Sequence, residues 1–135
     1  MPKFEVVRLS GLPPHHTEPF YKLVVDGKCY YDEFCKEMEK AGNQQQALDK
    51  IQAILVFMSR GTDVPKKWFQ ELKHRSKDDP HKDYEIRSGR LRIYLFEDEE
   101  GKIIVLGELK KGKKTQDKAI KKMRALKLAY FATKE

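Results

Sequence analysis

Apolar and polar residues alternate most regularly between residues 84 and 96. The segment YEIRSGRLRIYLF, residues 84–96, alternates on both sides of Ser88-Gly89, and a two-residue loop of this kind closes tight β-hairpins. The pattern therefore predicts two antiparallel strands. In the register that this loop predicts, Arg87 faces Arg90, Ile86 faces Leu91, Glu85 faces Arg92 and Tyr84 faces Ile93.

The two faces of the predicted hairpin differ in chemistry. The apolar face consists of Tyr84, Ile86, Leu91, Ile93 and Leu95. The polar face consists of Glu85, Arg87, Arg90, Arg92 and Tyr94. Like charges directly opposite each other destabilise a sheet, so fold stability does not explain this second face.

A third strand, Lys102 to Leu109, follows the acidic turn EDEEG. Its continuous apolar run, Ile103 to Leu106, is typical of a strand that is covered on both faces. The strand leads into a lysine-rich loop that contains Lys110, Lys111, Lys113 and Lys114. An arginine-bearing sheet face beside this loop predicts an anion-binding site.

Helical spacing of apolar residues predicts three helices. The first runs from Tyr31 to Ala41, and the second starts after Asn43, which forms a capping box with Gln46. These two helices form a hairpin whose apolar faces must cover a sheet. The third starts near Gln116 with Thr115 as its N-cap. Its outward face is predicted to carry Lys118, Lys121, Lys122, Arg124 and Lys127.

The remaining segments complete an α+β fold. Residues 4–9 and 20–25 are predicted to form short strands, and residues 62–83 are predicted to form a connector with one turn of helix. Within it, the tract 73–83 mixes both charges around Pro80 and is predicted to be an exposed loop. We expect one domain over residues 1–135: a small, antiparallel-rich sheet packed against the N-terminal helical hairpin, with a C-terminal helix.

The net charge of +7 is unevenly distributed. Residues 102–135 hold 11 of the 28 basic residues and 3 of the 21 acidic residues, a net charge of +8, which leaves −1 for the first 101 residues. A local field of this sign favours a polyanion or an acidic protein as partner. No apolar run approaches the ~20 residues of a membrane span, and no apolar signal segment is present, so we expect a cytoplasmic protein.

The sequence contains no pattern for a metal or a nucleotide cofactor. Cys29 and Cys35 lack a second pair to complete a zinc site, and we expect reduced, structural thiols. His15 and His16 lie on a proline-rich loop without a third ligand. His74 and His81 are the histidines closest in sequence to the arginine face, although nothing in the pattern fixes their direction.

Arg, Lys and Tyr are sufficient for one metal-free reaction, the cleavage of RNA by its own 2′-hydroxyl. Arginine can hold two phosphate oxygens of the transition state at once. Lysine or tyrosine can transfer the protons when neighbouring cations lower their pKa values. A basic loop and helix can then hold the RNA backbone while aromatic side chains stack on the bases.

The order and spacing of these segments resemble the RelE/ParE toxin superfamily, in particular its HigB-like branch. The resemblance covers residues 20–131 and is sharpest at EIR (85–87), LRIY (91–94) and the strand that runs into the doubled-lysine loop (109–114). Residues 1–19 lie outside it as an N-terminal extension. The resemblance implies a type II toxin that cleaves mRNA on the ribosome and inhibits translation, and whose partner is a cognate antitoxin.

The resemblance also implies roles for individual residues. Arg87 and Arg92 match arginines that act on the scissile phosphate. Arg90 and the loop lysines 110, 111, 113 and 114 then contact RNA. Many members use a histidine or tyrosine near the C-terminus for proton transfer, and because no histidine follows His81, Tyr94 or Tyr130 would have to serve.

Two alternatives remain at this stage. A ParE-like inhibitor of DNA gyrase would bind a protein and cut no RNA, and members of that kind generally lack the catalytic set. A non-catalytic RNA- or protein-binding module of the same fold would bind RNA in a salt-sensitive way without cleaving it.

Overall fold

A computed structural model describes residues 2–13 and 17–134, so His15 and His16 lie outside the described residues. The described chain forms a six-stranded mixed sheet and three α-helices. The strands are β1 (Phe4–Arg8), β2 (Phe20–Val25), β3 (Phe69–Glu71), β4 (Asp83–Ser88), β5 (Leu91–Asp98) and β6 (Gly101–Leu109). The helices are α1 (Tyr30–Ala41), α2 (Gln45–Ser59) and α3 (Lys113–Thr133).

The strand order in the sheet is β1-β2-β6-β5-β4-β3. Neighbouring strands are antiparallel, except that β2 runs parallel to β6. The predicted α+β class, the three consecutive antiparallel strands and the C-terminal helix are therefore confirmed. β5 and β6 lie in the middle of the sheet, which explains why both are almost continuously buried.

Helices cover both faces of the sheet. The face that carries Ile86, Ile93 and Leu95 packs against buried side chains of α1 and α2. The opposite face packs against α3 through Tyr94, Phe96 and other buried residues. Gly107 lets α1 approach β6 closely, because a Cβ atom there would lie 2.5 Å from the Phe34 ring.

The predicted hairpin register is wrong by two residues. Ser88 pairs with Leu91 and Arg87 with Arg92, so the two-residue loop is Gly89-Arg90. Gly89 has φ +56°, which suits the first loop position of a type II′ turn, and Ser88 is held in the strand because its hydroxyl donates to the Ala47 carbonyl of α2 at 2.8 Å. A shift of two preserves the strand alternation, so each residue keeps its predicted face.

Several predicted boundaries also differ from the structure. The N-cap of α2 is Gln44 rather than Asn43, and α3 begins at Lys113 after Gly112, with no side-chain cap at either helix. The connector 62–83 contains a strand, β3, instead of a turn of helix. Three residues are too few for alternation to reveal a strand, and β3 forms because it pairs with β4.

Most of the charged tract 73–83 is an exposed loop, as the sequence predicts. Asp79 and Asp83 are the exception, because a buried ionic cluster joins them to α3. Lys127 is completely buried, and its ammonium group contacts Asp79 Oδ2 at 2.6 Å, Asp83 Oδ2 at 2.7 Å and the His81 carbonyl at 2.7 Å. Arg124 contacts both carboxylate oxygens of Asp83 at 2.8 and 3.0 Å. Lys127 and Arg124 therefore anchor α3 and do not belong to its outward basic face.

Although burial alone would raise the pKa of Asp83, hydrogen bonds from Arg124 and Lys127 hold this pKa below its ordinary value of 3.8. The carboxylate therefore contributes stability above that pH, and the contribution is lost as the pH falls through the lowered pKa.

We expect Lys127→Met to lower the free energy of unfolding by about 3–5 kcal/mol, because it leaves the buried carboxylates of Asp79 and Asp83 without their shared cation. Urea unfolding of the variant measures this loss. Lys121→Met, on the exposed side of α3, is the matched control and should change stability by less than about 0.5 kcal/mol. Adding Asp79→Asn to Lys127→Met should recover part of the loss, and a Lys127→Met protein as stable as the control would contradict this role.

Candidate functional site

A cluster of polar side chains lies on the sheet face beneath the first turns of α3. It is assembled from neighbouring strands, since Arg87 of β4 pairs with Arg92 of β5, and Arg92 pairs in turn with Glu108 of β6. Most of these side chains are buried, although the sequence predicts only their shared face. We call this set the polar cluster: Glu85, Arg87, Arg92, Tyr94, Glu108 and Gln116.

Glu85 is the centre of hydrogen bonding in the polar cluster. Its side chain is 1% exposed, and Oε1 accepts hydrogen bonds from Arg87 Nε at 2.5 Å and from Gln70 Nε2 at 3.0 Å. Its second oxygen accepts from Gln116 Nε2 at 3.1 Å. Arg87 remains 37% exposed, so its guanidinium is both oriented by a buried carboxylate and accessible from outside.

Arg92 is 9% exposed and directed at the hairpin turn. Its Nη1 donates to the Gly89 carbonyl at 2.8 Å and to the Leu91 carbonyl at 2.9 Å. Its Nε is buried without a partner among the described residues, and so is Oε1 of the cross-strand neighbour Glu108. Unpaired buried polar atoms are costly unless a ligand or a water molecule satisfies them.

Tyr94 and Glu108 form a short hydrogen bond inside the polar cluster. The Tyr94 hydroxyl donates to Glu108 Oε2 at 2.6 Å, and Tyr94 is fully buried. Burial and this carboxylate raise the pKa of Tyr94. Burial also raises the pKa of Glu108 above its ordinary value of 4.5, although Tyr94 and Arg92 partly offset it. The pKa of Tyr94 is thus raised, not lowered as the sequence predicts for a proton-transferring tyrosine. The hydrogen bond to Glu108 nevertheless gives a proton a path between the two groups.

A basic rim surrounds the polar cluster at this end of the sheet. Arg90 is exposed in the hairpin turn, and its Nη2 donates to the Lys110 carbonyl at 3.2 Å. Lys113 and Lys114 occupy the first turn of α3, where the helix dipole is already positive and backbone N–H groups have no helical acceptor. The basic rim comprises Arg90, Lys110, Lys111, Lys113 and Lys114, the residues for which the sequence predicts RNA contacts.

The structure separates Tyr130 from the other three predicted catalytic residues. Tyr130 is buried, and its hydroxyl donates to Asp98 Oδ2 at 2.7 Å, at the far end of β5. Asp98 is six residues along the strand from Arg92, which corresponds to roughly 20 Å. Arg87, Arg92 and Tyr94 are brought together by strand pairing.

Neither candidate histidine belongs to the polar cluster. His74 is exposed, and its carbonyl accepts a hydrogen bond from Arg124 at 3.3 Å. The His81 ring stacks on Phe131 with 3.4 Å between the ring centroids. Both histidines therefore associate with the C-terminal half of α3, whereas the polar cluster lies beneath its first turns.

Sequence reasoning missed Glu108 and Gln116 as members of the site. Glu108 lies in the predicted strand Lys102 to Leu109, where the pattern assigns it no role, and Gln116 is predicted only to start the third helix. The available signal was the position of Glu108 on a central strand. A charged residue on a strand that is covered on both faces requires a polar partner on that face.

Comparisons with known proteins provide no further assignment. Models of protein families, curated proteins and solved structures were each searched, and none matches this chain. Within residues 2–13 and 17–134, no group of three or more His, Cys, Asp or Glu side chains is arranged to hold a metal ion. None of the helices in these residues combines the length and apolar character that crossing a membrane requires. The proposed function therefore depends on the polar cluster and the basic rim.

We expect Glu108→Gln to become more stable relative to the wild type as the pH rises from 4 to 7. A folded-state pKa above 4.5 means that the native protein binds the Glu108 proton more tightly than the unfolded chain does. Wild-type stability from this group is therefore lost as the pH rises through that window, whereas the amide does not titrate. Urea unfolding of both proteins at the two pH values measures the effect. A stability difference that does not change with pH would contradict it.

Proposed function

We propose that this protein is an RNA endoribonuclease of the toxin type, which cleaves mRNA on the ribosome and so inhibits translation. The observation that carries the proposal is the pairing of Arg87 with Arg92 next to a Tyr94–Glu108 hydrogen bond, all at the basic end of the sheet. Two arginines can hold a phosphate, and the adjacent tyrosine and carboxyl can exchange protons.

The proposed reaction is transfer of the phosphodiester to the neighbouring 2′-oxygen. The 2′-oxygen attacks phosphorus while the bond to the 5′-oxygen breaks, which leaves a 2′,3′-cyclic phosphate and a free 5′-hydroxyl. Glu108 accepts the 2′-hydroxyl proton, Tyr94 protonates the leaving oxygen, and the proton returns along their hydrogen bond. Arg87 and Arg92 stabilise the charge that develops on the phosphate oxygens.

Access to Tyr94 and Glu108 requires the first turns of α3 to move. Within the described residues of these turns, only Gln116 donates a side-chain hydrogen bond to the sheet, whereas Arg124, Lys127 and Tyr130 anchor the rest of the helix. An RNA strand drawn in by the basic rim displaces the weakly held end and reaches the polar cluster. This motion is part of the proposal.

The order of elements supports a RelE/ParE-type toxin of the HigB-like branch. From Phe20 onward the chain runs strand, two helices, short strand β3, three antiparallel strands and helix, with α1 and α2 packed on the face opposite α3. A protein of this type acts in the cytoplasm on ribosome-bound mRNA, and a cognate antitoxin neutralises it. An acidic segment of that antitoxin would compete with RNA for the basic rim.

A second candidate is a non-catalytic RNA- or protein-binding module. The burial of Tyr94 and Arg92 beneath α3 favours it, as does the distance of Tyr130 from the arginines. Such a module uses the exposed basic rim and never opens the polar cluster. It predicts RNA binding that weakens steeply with salt and yields no cleavage products.

We expect induced wild-type protein to arrest bacterial growth, and Arg87→Ala and Arg92→Lys each to lower this toxicity by about 100-fold or more, because each removes a contact to the transition-state phosphate. Plating efficiency under graded induction measures the effect. Lys36→Ala on the exposed side of α1 is the control and should remain fully toxic.

Thermal unfolding followed by circular dichroism verifies that the variants are folded. Arg92→Lys retains a buried cation near the Gly89 and Leu91 carbonyls and should fold. Arg87→Ala leaves the buried Glu85 carboxylate without its cation, so it is compared with the double variant Glu85→Gln/Arg87→Ala, which removes both charges. A folded variant at either position that remains fully toxic would overturn the assignment of this site.

A further inference from the structure

From the surroundings of the chain's single tryptophan, we infer a base-stacking site for single-stranded RNA at Trp68, at the β3 edge of the sheet; this inference rests on the proposed function. Trp68 immediately precedes β3, the short edge strand of the sheet, and is partly exposed. The proposed reaction does not use Trp68.

Backbone hydrogen bonding places Trp68 next to Arg87. The Arg87 N–H donates to the Trp68 carbonyl at 2.8 Å, which continues the pairing of β3 with β4 by one residue. Directly opposite residues in such a ladder have Cα atoms about 5 Å apart. The indole ring packs on the side of the sheet that α1 and α2 cover. An RNA strand whose phosphate contacts Arg87 on the α3 side therefore places a base on the indole ring by bending around the β3 edge.

Two exposed lysines accompany the indole ring. Lys50 Nζ of α2 lies 4.6 Å from the ring centroid, and Lys67 Nζ lies 6.0 Å from it. Neither ammonium group has a carboxylate oxygen of the described residues within 4.0 Å. Their positive charge is therefore available to phosphates on either side of a stacked base.

An incoming base can replace a lysine at the ring face. Stacking of a base on an aromatic side chain is stronger than an exposed cation–π contact, and the displaced ammonium then pairs with the RNA backbone. Because stacking requires an unpaired base, this site selects single-stranded over duplex RNA. Trp68, Lys50 and Lys67 thus extend the RNA path from the basic rim around the β3 edge.

The wild-type protein tests this site directly, because Trp68 is its only tryptophan. Binding of a fluorescein-labelled, single-stranded RNA is followed by anisotropy at about 50 mM salt, and Trp68 fluorescence is recorded in parallel with unlabelled RNA. We expect the single strand to quench Trp68 fluorescence over the concentration range in which it binds. A duplex of the same sequence should leave the fluorescence nearly unchanged.

Single substitutions distinguish the contribution of base stacking to RNA binding from the contribution of positive charge. Trp68→Ala should weaken single-strand binding by about 10-fold with little effect on duplex binding. Lys67→Gln should weaken both and reduce the salt slope of log K by about 1, whereas Lys36→Gln on α1 should change neither. Because Lys67 is exposed, its variant stays informative even if Trp68→Ala fails to fold.

The possible outcomes distinguish a failure of the stacking site from a failure of the proposed RNA-binding function. Binding by anisotropy without a change in Trp68 fluorescence, and with unaltered affinity of Lys67→Gln, would overturn the stacking site and leave the RNA-binding function standing. No binding of either RNA at low salt would overturn the RNA-binding premise of both.

Discussion

The buried contacts of Lys127 with Asp79 and Asp83 are the interaction on which the rest of the structure depends. They join α3 to the segment that leads into β4, across more than 40 residues of chain. A buried ion pair contributes little net stability compared with an apolar packing of the same volume, but breaking one is costly. Together with Arg124, this ionic cluster fixes the position of the C-terminal half of α3. The first turns, which cover the polar cluster, make one side-chain hydrogen bond to the sheet among the described residues, from Gln116 to Glu85.

Within the described residues, unpaired basic side chains gather at one end of the sheet, and this follows from where its turns lie. The hairpin turn at Arg90, the end of β6 and the start of α3 meet at one end and form the basic rim. The acidic turn, residues 97–100, lies at the other end, where Asp98 is paired with Tyr130 and Lys134. An approaching polyanion is therefore drawn to the end that holds Arg87 and Arg92. The residues proposed for catalysis and the residues proposed to attract RNA therefore lie at the same end of the sheet.

Strand alternation allowed the faces of β4 and β5 to be predicted from the sequence, and these faces remain correct despite the error in register. The error arose because Ser88 and Gly89 resemble a turn, whereas the Ser88 hydroxyl is bound by α2, a contact that local sequence does not reveal. Burial of the arginine face escaped prediction for a similar reason. In the sequence, each of the three charged residues Lys127, Asp79 and Asp83 resembles an ordinary solvated side chain. They are buried because they pair with one another across a long stretch of chain. Arg87, Arg92 and Tyr94 could be found because they share one strand face, while Gln116 reaches Glu85 only through tertiary packing.

The central claim is that the polar cluster cleaves mRNA during translation, and mapping of mRNA 5′ ends tests it most directly. Cells would express the wild-type chain together with two reporter mRNAs that differ only in their start codon, so that one is translated and the other is not. The account predicts new 5′ ends, phased with codons, in the translated reporter alone and within minutes of induction. Growth arrest without new ends, or equal cleavage of the untranslated reporter, would contradict it.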